Sequence, residues 1–243
     1  MTSVIKAENL KVKRTFAKKM IIIAPLFMLL LAIISGQYFV QNGYNWWYTM
    51  ILPGLITLIT ALVNQNEEKK LNYRSVLPLP VSLKKIWLGK VTVTGIYVAV
   101  ANIILLGGII AGKLFYNTAS TITVTQMMMA TLILIVALLW QIPWCLFLSK
   151  KFGMLIAILV NVGGGIVLGI IAADKSFWWL CPYSWITRMM CPVLGILPNG
   201  TLAPVGDAML NVNVIPLGLG LSMVFLVIVM AITAWWFSRQ EVK

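Results

Sequence analysis

Residues 20–66 contain no charged side chain, and further uncharged runs follow at 91–112, 124–148, 152–173 and 214–238. An apolar run of about 20 residues crosses a bilayer as a helix, because a helix satisfies its own backbone groups in lipid. The first run is too long for one crossing. Its middle, Gln41-Asn-Gly-Tyr-Asn-Trp-Trp47, mixes polar and aromatic residues, which predicts an outside turn dividing a span at 20–40 from one at 46–63. With apolar residues at 60% and charged residues at 10% of 243, the chain carries more apolar surface than one soluble core covers. The expected fold class is an all-α integral membrane protein, with six transmembrane helices forming one domain over residues 1–243.

The net charge of +13 would point to nucleic acid if the basic residues formed a patch in water. They mark one membrane face instead. The N-terminal segment, the loops after the second and fourth spans, and the tail hold 16 of the 19 lysines and arginines, leaving Lys113, Lys175 and Arg188 for the other face. The positive-inside rule then places both termini and the loop at 64–86 in the cytoplasm. Residues 1–19 interleave Lys6, Lys11, Lys13, Arg14, Lys18 and Lys19 with Val4, Ile5, Leu10, Val12 and Phe16. That pattern predicts a basic helix lying in the interface on anionic lipid. A cleaved signal peptide is excluded, since 20–40 has full spanning length and no A-x-A site.

The cytoplasmic loop is longer than a hydrated turn requires. Its residues 67–77 can form about three helical turns, with Glu67 and Glu68 near the positive end of the dipole and Lys70 and Arg74 at i, i+4. Pro78 and Pro80 stop that helix, Ser82 can cap the next, and Trp87 is expected at headgroup depth. Leu71, Tyr73, Val76 and Leu77 stand beside the charges. An apolar face on a short helix suits docking into a groove of a soluble partner; an ordinary surface loop is the alternative.

Between the last two spans, residues 174–213 are expected outside, yet they are rich in aromatics rather than charge. Either they dip into the outer leaflet as re-entrant or interfacial helices, or they serve only as an anchor. Cys181 and Cys191 both precede proline there, so a disulfide and two packed thiols are both open. Cys145 falls within a span as packing. Asn161, the glycines at 163–165 and Gly169 predict close helix contact, as do Gly95 and Ala99.

Several chemistries are excluded. The chain has no histidine, and its three cysteines form no CxxC pair, so neither a metal site nor a redox centre is expected. Gly107-Gly-Ile-Ile-Ala-Gly-Lys113 imitates a phosphate-binding loop, but Leu114 replaces the Ser or Thr that would hold magnesium, and the stretch ends a membrane span. The Asn199-Gly-Thr201 acceptor triplet carries no argument alone. Gln126, Gln141 and Asn161 make a poor acid–base set. No ionisable residue is expected in the middle of a span, whereas ion-coupled carriers and intramembrane enzymes usually place such groups at depth, which leaves a membrane enzyme as the third reading. A transporter of this kind would draw its energy from a soluble ATPase at the cytoplasmic loop.

The whole pattern resembles the ABC-2 type permeases, and among them the short permease subunits of lantibiotic-immunity transporters. The resemblance is carried by the basic start with Glu8-Asn-Leu-Lys11 and Lys13-Arg-Thr15, the six spans, and the stretch from Glu67 through Leu77-Pro-Leu-Pro-Val81 to Lys90. Pro182-Tyr-Ser-Trp185 and Leu197-Pro-Asn-Gly200 add to it. It implies a multi-pass protein of the bacterial plasma membrane, paired with an identical or sister permease and resting on two ABC ATPase subunits. ATP and magnesium would bind those subunits, with no cofactor in this chain. The coupling residues implied are Glu67, Glu68, Lys70, Leu71, Tyr73, Arg74, Val76 and Leu77. The cargo implied is a cationic antimicrobial peptide, with Trp178, Trp179, Tyr183 and Trp185 offering π faces to its lysines. Another envelope-active cargo, or a scaffold that only recruits a soluble protein, would use the same loop.

Overall fold

The computed structural model describes residues 1–13, 15–71, 82–116 and 121–240, with side chains for all of these except 66–71. Helix α1 (Thr2–Val12) precedes α2 (Phe16–Ile34), the first apolar helix. A 3-10 turn (Gly36–Tyr38), α3 (Phe39–Trp46), a π turn (Trp47–Ile51) and α4 (Leu52–Leu71) follow, and α5 (Leu83–Phe115) returns. Next come α6 (Val124–Ala137) and α7 (Gln141–Phe152), then α8 (Met154–Gly163), a second π turn (Gly164–Leu168) and α9 (Gly169–Ala173). Helix α10 (Ser184–Leu194) belongs to the long connection before α11 (Val214–Ser238). Among the described residues five helical units are long and apolar enough to cross a membrane, and the bent pair α6–α7 makes a sixth. The chain is thus an all-α integral membrane protein.

The turn expected at 41–47 is helix, because Gly36 to Gln65 runs on as one apolar unit. Its polar side chains find partners in protein rather than water. Gln41 Nε2 donates to the Gly200 carbonyl, Asn45 Nδ2 to Tyr48 Oη at 3.1 Å, and Trp47 Nε1 to Asn102 Oδ1 at 2.9 Å. Tyr44 Oη donates to Met127 O at 3.0 Å, tying α3 to α6. The chain reverses earlier, at Gly36, whose φ of +56° a side chain would resist.

Pro143 explains the 45° bend between α6 and α7. With no N–H it cannot bond Leu139 O, and its ring crowds that carbonyl. The backbone tightens there, with Gln141 N donating to Leu138 O at 3.0 Å and Ile142 N to Leu139 O at 3.1 Å.

Burial against lipid gains little between apolar helices, so small residues and polar bonds decide how they pack. Asn161 Nδ2 on α8 reaches Pro53 O (3.1 Å) and Thr57 Oγ1 (3.0 Å) on α4, and Gln141 Oε1 (3.1 Å) on α7. Two turns beyond Thr57 along α4, Asn64 Nδ2 donates to Leu146 O and Ser149 Oγ, both at 2.8 Å. The two π turns meet: a Cβ on Gly165 would stand 2.9 Å from the Thr49 carbonyl oxygen. One on Gly163, in the same glycine run, would meet nothing within 4 Å, so close contact is confined to part of that run.

Gly165→Ala should therefore destabilise the protein by about 1–3 kcal/mol, since backbone must move. Gly107→Ala, in open space, should be neutral or gain up to about 1 kcal/mol. Thermal unfolding of both variants in detergent, followed by circular dichroism, checks the contrast; equal melting temperatures would contradict the π-turn contact.

Candidate functional site

One end of the bundle gathers α1, the start of α5, the α7–α8 turn and the end of α11. Here α1 packs onto α5 rather than standing apart from the bundle. A Cβ on Gly89 would lie 2.9 Å from Val4, and Tyr97 Oη on α5 donates to Asn9 Oδ1. Glu8 is buried and pairs with Lys11 at 2.6 Å. Trp87 is wholly buried against α11 rather than open to lipid, donating from Nε1 to Thr233 Oγ1 at 3.0 Å with the Phe237 ring 4.8 Å away. A neighbouring helix has taken the place of lipid.

Lys90 likewise departs from expectation. It lies inside α5, 2% exposed, its ammonium 6.0 Å from the centre of the Phe237 ring. Lys150 approaches the same ring at 4.5 Å, Lys151 that of Phe152 at 5.1 Å, and Arg239 that of Trp235 at 4.1 Å. These four cations rest on aromatic faces, an arrangement that holds charge near apolar surface at low cost.

Of the expected coupling residues, Glu67, Glu68, Lys70 and Leu71 fall in the last turns of α4. They extend a membrane helix instead of starting a separate one. Tyr73, Arg74, Val76 and Leu77 lie outside the described residues. Ser82 sits at the N-cap of α5, but its side chain makes no capping bond.

The opposite end is built around α10, whose residues are almost all buried. Ser184 Oγ donates to Trp178 O at 2.7 Å, Trp185 Nε1 to Trp179 O at 2.9 Å, and Trp144 Nε1 to Tyr183 Oη at 3.2 Å. The Trp140 ring lies 5.2 Å from both Tyr183 and Phe225 and 6.5 Å from Trp185. Trp178 and Trp185 are consequently only 8% and 4% exposed, whereas Trp179 is 47% exposed. Of the four expected cargo-contact residues, Trp179 alone offers an open face. Burial pushes the Tyr183 phenol well above its ordinary pKa, so it stays neutral in any physiological medium.

Cys181 and Cys191 are free thiols. Cys181 lies in the turn before α10, its carbonyl accepting from Ser184 N at 3.0 Å, and Cys191 lies inside that helix. Burial pushes the Cys191 thiol up to about 11, with Arg188 opposing, so it is protonated and unreactive at neutral pH.

Two clefts that sequence reasoning missed flank the turn at 197–202. One, of about 420 Å³, is lined by Ile170, Asp174, Lys175, Asn199, Asp207 and Met209. Asp174 pairs with Lys175 at 3.3 Å, while Asp207 Oδ1 accepts from Met209 N at 2.7 Å. The other, of about 430 Å³, is lined by neutral groups, among them Tyr38, Gln41, Asn45, Trp46 and Asn199. The available signal was that Asp174 and Asp207 are the only acids between Glu68 and Glu241.

Multiple spans, breaks by proline and π turns, and clefts at one end define a multi-pass membrane protein with the build of a transport component. The chain belongs to the ABC-2 transporter family: the profile of the ABC-2 family transporter proteins matches residues 4–173. Comparison with curated proteins and with solved structures gives no match. Membership makes the chain the transmembrane component of an ABC transporter, partnered by an ABC ATPase subunit, rather than itself the catalytic part.

The packing of the aromatic end gives a direct contrast. Trp185→Ala should cost about 3–5 kcal/mol by opening a cavity among Trp140, Phe225 and α10. Trp179→Ala should stay within about 0.5 kcal/mol of the parent. Denaturation in detergent measures both; a larger loss at Trp179 would overturn the assignment of inward and outward faces.

Proposed function

We propose that this chain is the membrane-spanning subunit of an ATP-driven exporter that removes a lantibiotic or similar cationic antimicrobial peptide from the membrane to the outside, giving its cell immunity. Both termini and residues 64–86 face the cytoplasm in this reading, and 174–213 face outward. Residues 67–77 rest on the ATPase, which binds ATP and magnesium, with Tyr73, Val76 and Leu77 as the apolar contact and Arg74 beside them. A second permease, the same chain or a sister, completes the transporter.

The observation that carries the cargo class is the first cleft. In a chain with 19 basic and 6 acidic residues, two of the acids, Asp174 and Asp207, line one cavity at the end assigned to the outside. Lys175 offsets one of the two carboxylates, and the remaining negative charge beside apolar Ile170 and Met209 suits an amphipathic peptide bearing lysines; elsewhere in 174–213 the open Trp179 ring offers a cation–π surface. The second cleft favours one other reading, a lipid-linked glycan, because Asn and Gln amides pair with hydroxyl groups as donors and acceptors.

Asp174→Asn with Asp207→Asn retains the shape and the capping oxygen but removes both charges. At equal membrane abundance the double variant should lose about threefold or more of peptide resistance, from two partly exposed charge contacts. Minimum inhibitory concentrations across a panel of cationic peptides, bacitracin-like drugs and glycan-directed agents provide the measurement. Undiminished resistance to every cationic peptide, with sensitivity to a neutral agent, would transfer the cargo to the second reading.

A further inference from the structure

We infer that the groove between α2 and α5, at the end carrying α1, is a binding site for one anionic phospholipid. The groove encloses about 660 Å³, and its lining divides by chemistry. Lys13, Lys18 and Lys19 stand at its mouth; Ile22, Ile96, Val100 and Ile104 line its length. Along α5 the apolar wall from Ile96 to Ile104 extends for about 12 Å, a sizeable part of one acyl chain's depth in a leaflet.

The charges fit a phosphate. Among the described residues no acid lines the groove, and the buried carboxylate of nearby α1, Glu8, is paired with Lys11. The start of α2 adds to the attraction. Thr15 occupies its N-cap position but makes no capping bond, its hydroxyl donating instead to Val12 O at 2.9 Å. Thr15 thus leaves the first N–H groups of α2 without a capping bond from its side chain, and the positive end of the helix dipole belongs to the same groove lining as Lys13, Lys18 and Lys19.

The apolar half argues for a lipid over a soluble phosphate. Ile22 and Ile96, 55% and 51% exposed, belong to helices long and apolar enough to cross a membrane. An acyl chain in the groove covers them while its headgroup meets the lysines. The Tyr97–Asn9 bond and the Glu8 side chain fix α1 against α5 beside the mouth, so a lipid here would bear on how α1 and the first span are held together. This site is independent of the cargo reading and of the ATPase contact.

Photoreactive phosphatidylglycerol and phosphatidylcholine with identical chains, each incorporated into nanodiscs with the full-length protein, test the inference. Labelled positions are mapped by peptide mass spectrometry. The expected result is selective phosphatidylglycerol labelling of α2 and α5 at the groove residues. Lys13→Gln, Lys18→Gln and Lys19→Gln should each reduce it by about fivefold, the effect of one lysine near an anionic headgroup. Val100→Trp, which fills the groove and leaves the lysines in place, should abolish it while distant lipid labelling persists. Equal labelling by the two lipids in the unaltered protein would reduce the groove to ordinary lipid-facing surface and overturn the inference. Absence of both labels, with a crosslink between copies at the same residues, would overturn it in favour of a permease–permease contact.

Discussion

The amide of Asn161 joins three helices at one point inside the bundle. Its Nδ2 lies within 3.1 Å of acceptors on α4 and α7 while its own backbone belongs to α8. In lipid an amide without such partners is costly, so this site selects one relative placement of the three helices. The features around it follow from that placement. Pro143 bends the α6–α7 pair two residues from Gln141, the π turn after α8 brings Gly165 onto Thr49, and Gly169 allows Tyr183 O to approach within 3.0 Å of where its Cβ would be. Polar bonding and absent side chains do here what burial from water does in a soluble core.

This arrangement also relates the two ends of the molecule. Helix α4 carries Glu67, Glu68, Lys70 and Leu71 at one end and begins in the π turn that meets Gly165 at the other. Beyond Gly165, contacts through Gly164 and Gly169 reach Tyr183, the residue before α10. A series of close contacts thus runs from the π turn at the start of α4 to Tyr183 at the start of α10. Rigid contact of this kind transmits motion because packed interiors have little slack.

The helical class and most of the spans were legible in the chain because charge-free runs have one structural solution in lipid. The starts and facings of helices were less so. Gln41 and Asn45 resemble turn residues in sequence, but they bond Gly200 and Tyr48 from within a helix. Trp87 resembles an interface anchor, but α11 covers it. Both errors have one physical origin: a side chain that meets protein looks the same in sequence as one that meets water or lipid. The same ambiguity concealed the difference between buried Trp178 and Trp185 and open Trp179. The clefts were invisible for another reason, since Asp174 and Asp207 come from segments joined only by the fold.

Membership of the ABC-2 family makes dependence on an ATPase the central claim about this protein, and Tyr73 and Leu77, which follow α4 in the sequence, give the place to test it. The direct measurement is quantitative mass spectrometry of proteins co-purified with the tagged chain in mild detergent, comparing the parent with a Tyr73→Asp, Leu77→Asp double variant that still elutes as a folded species. An ABC ATPase recovered with the parent and lost from the variant is the predicted result. An ATPase absent from both, under conditions that preserve other membrane complexes, would contradict it, because the chain would have no energy source.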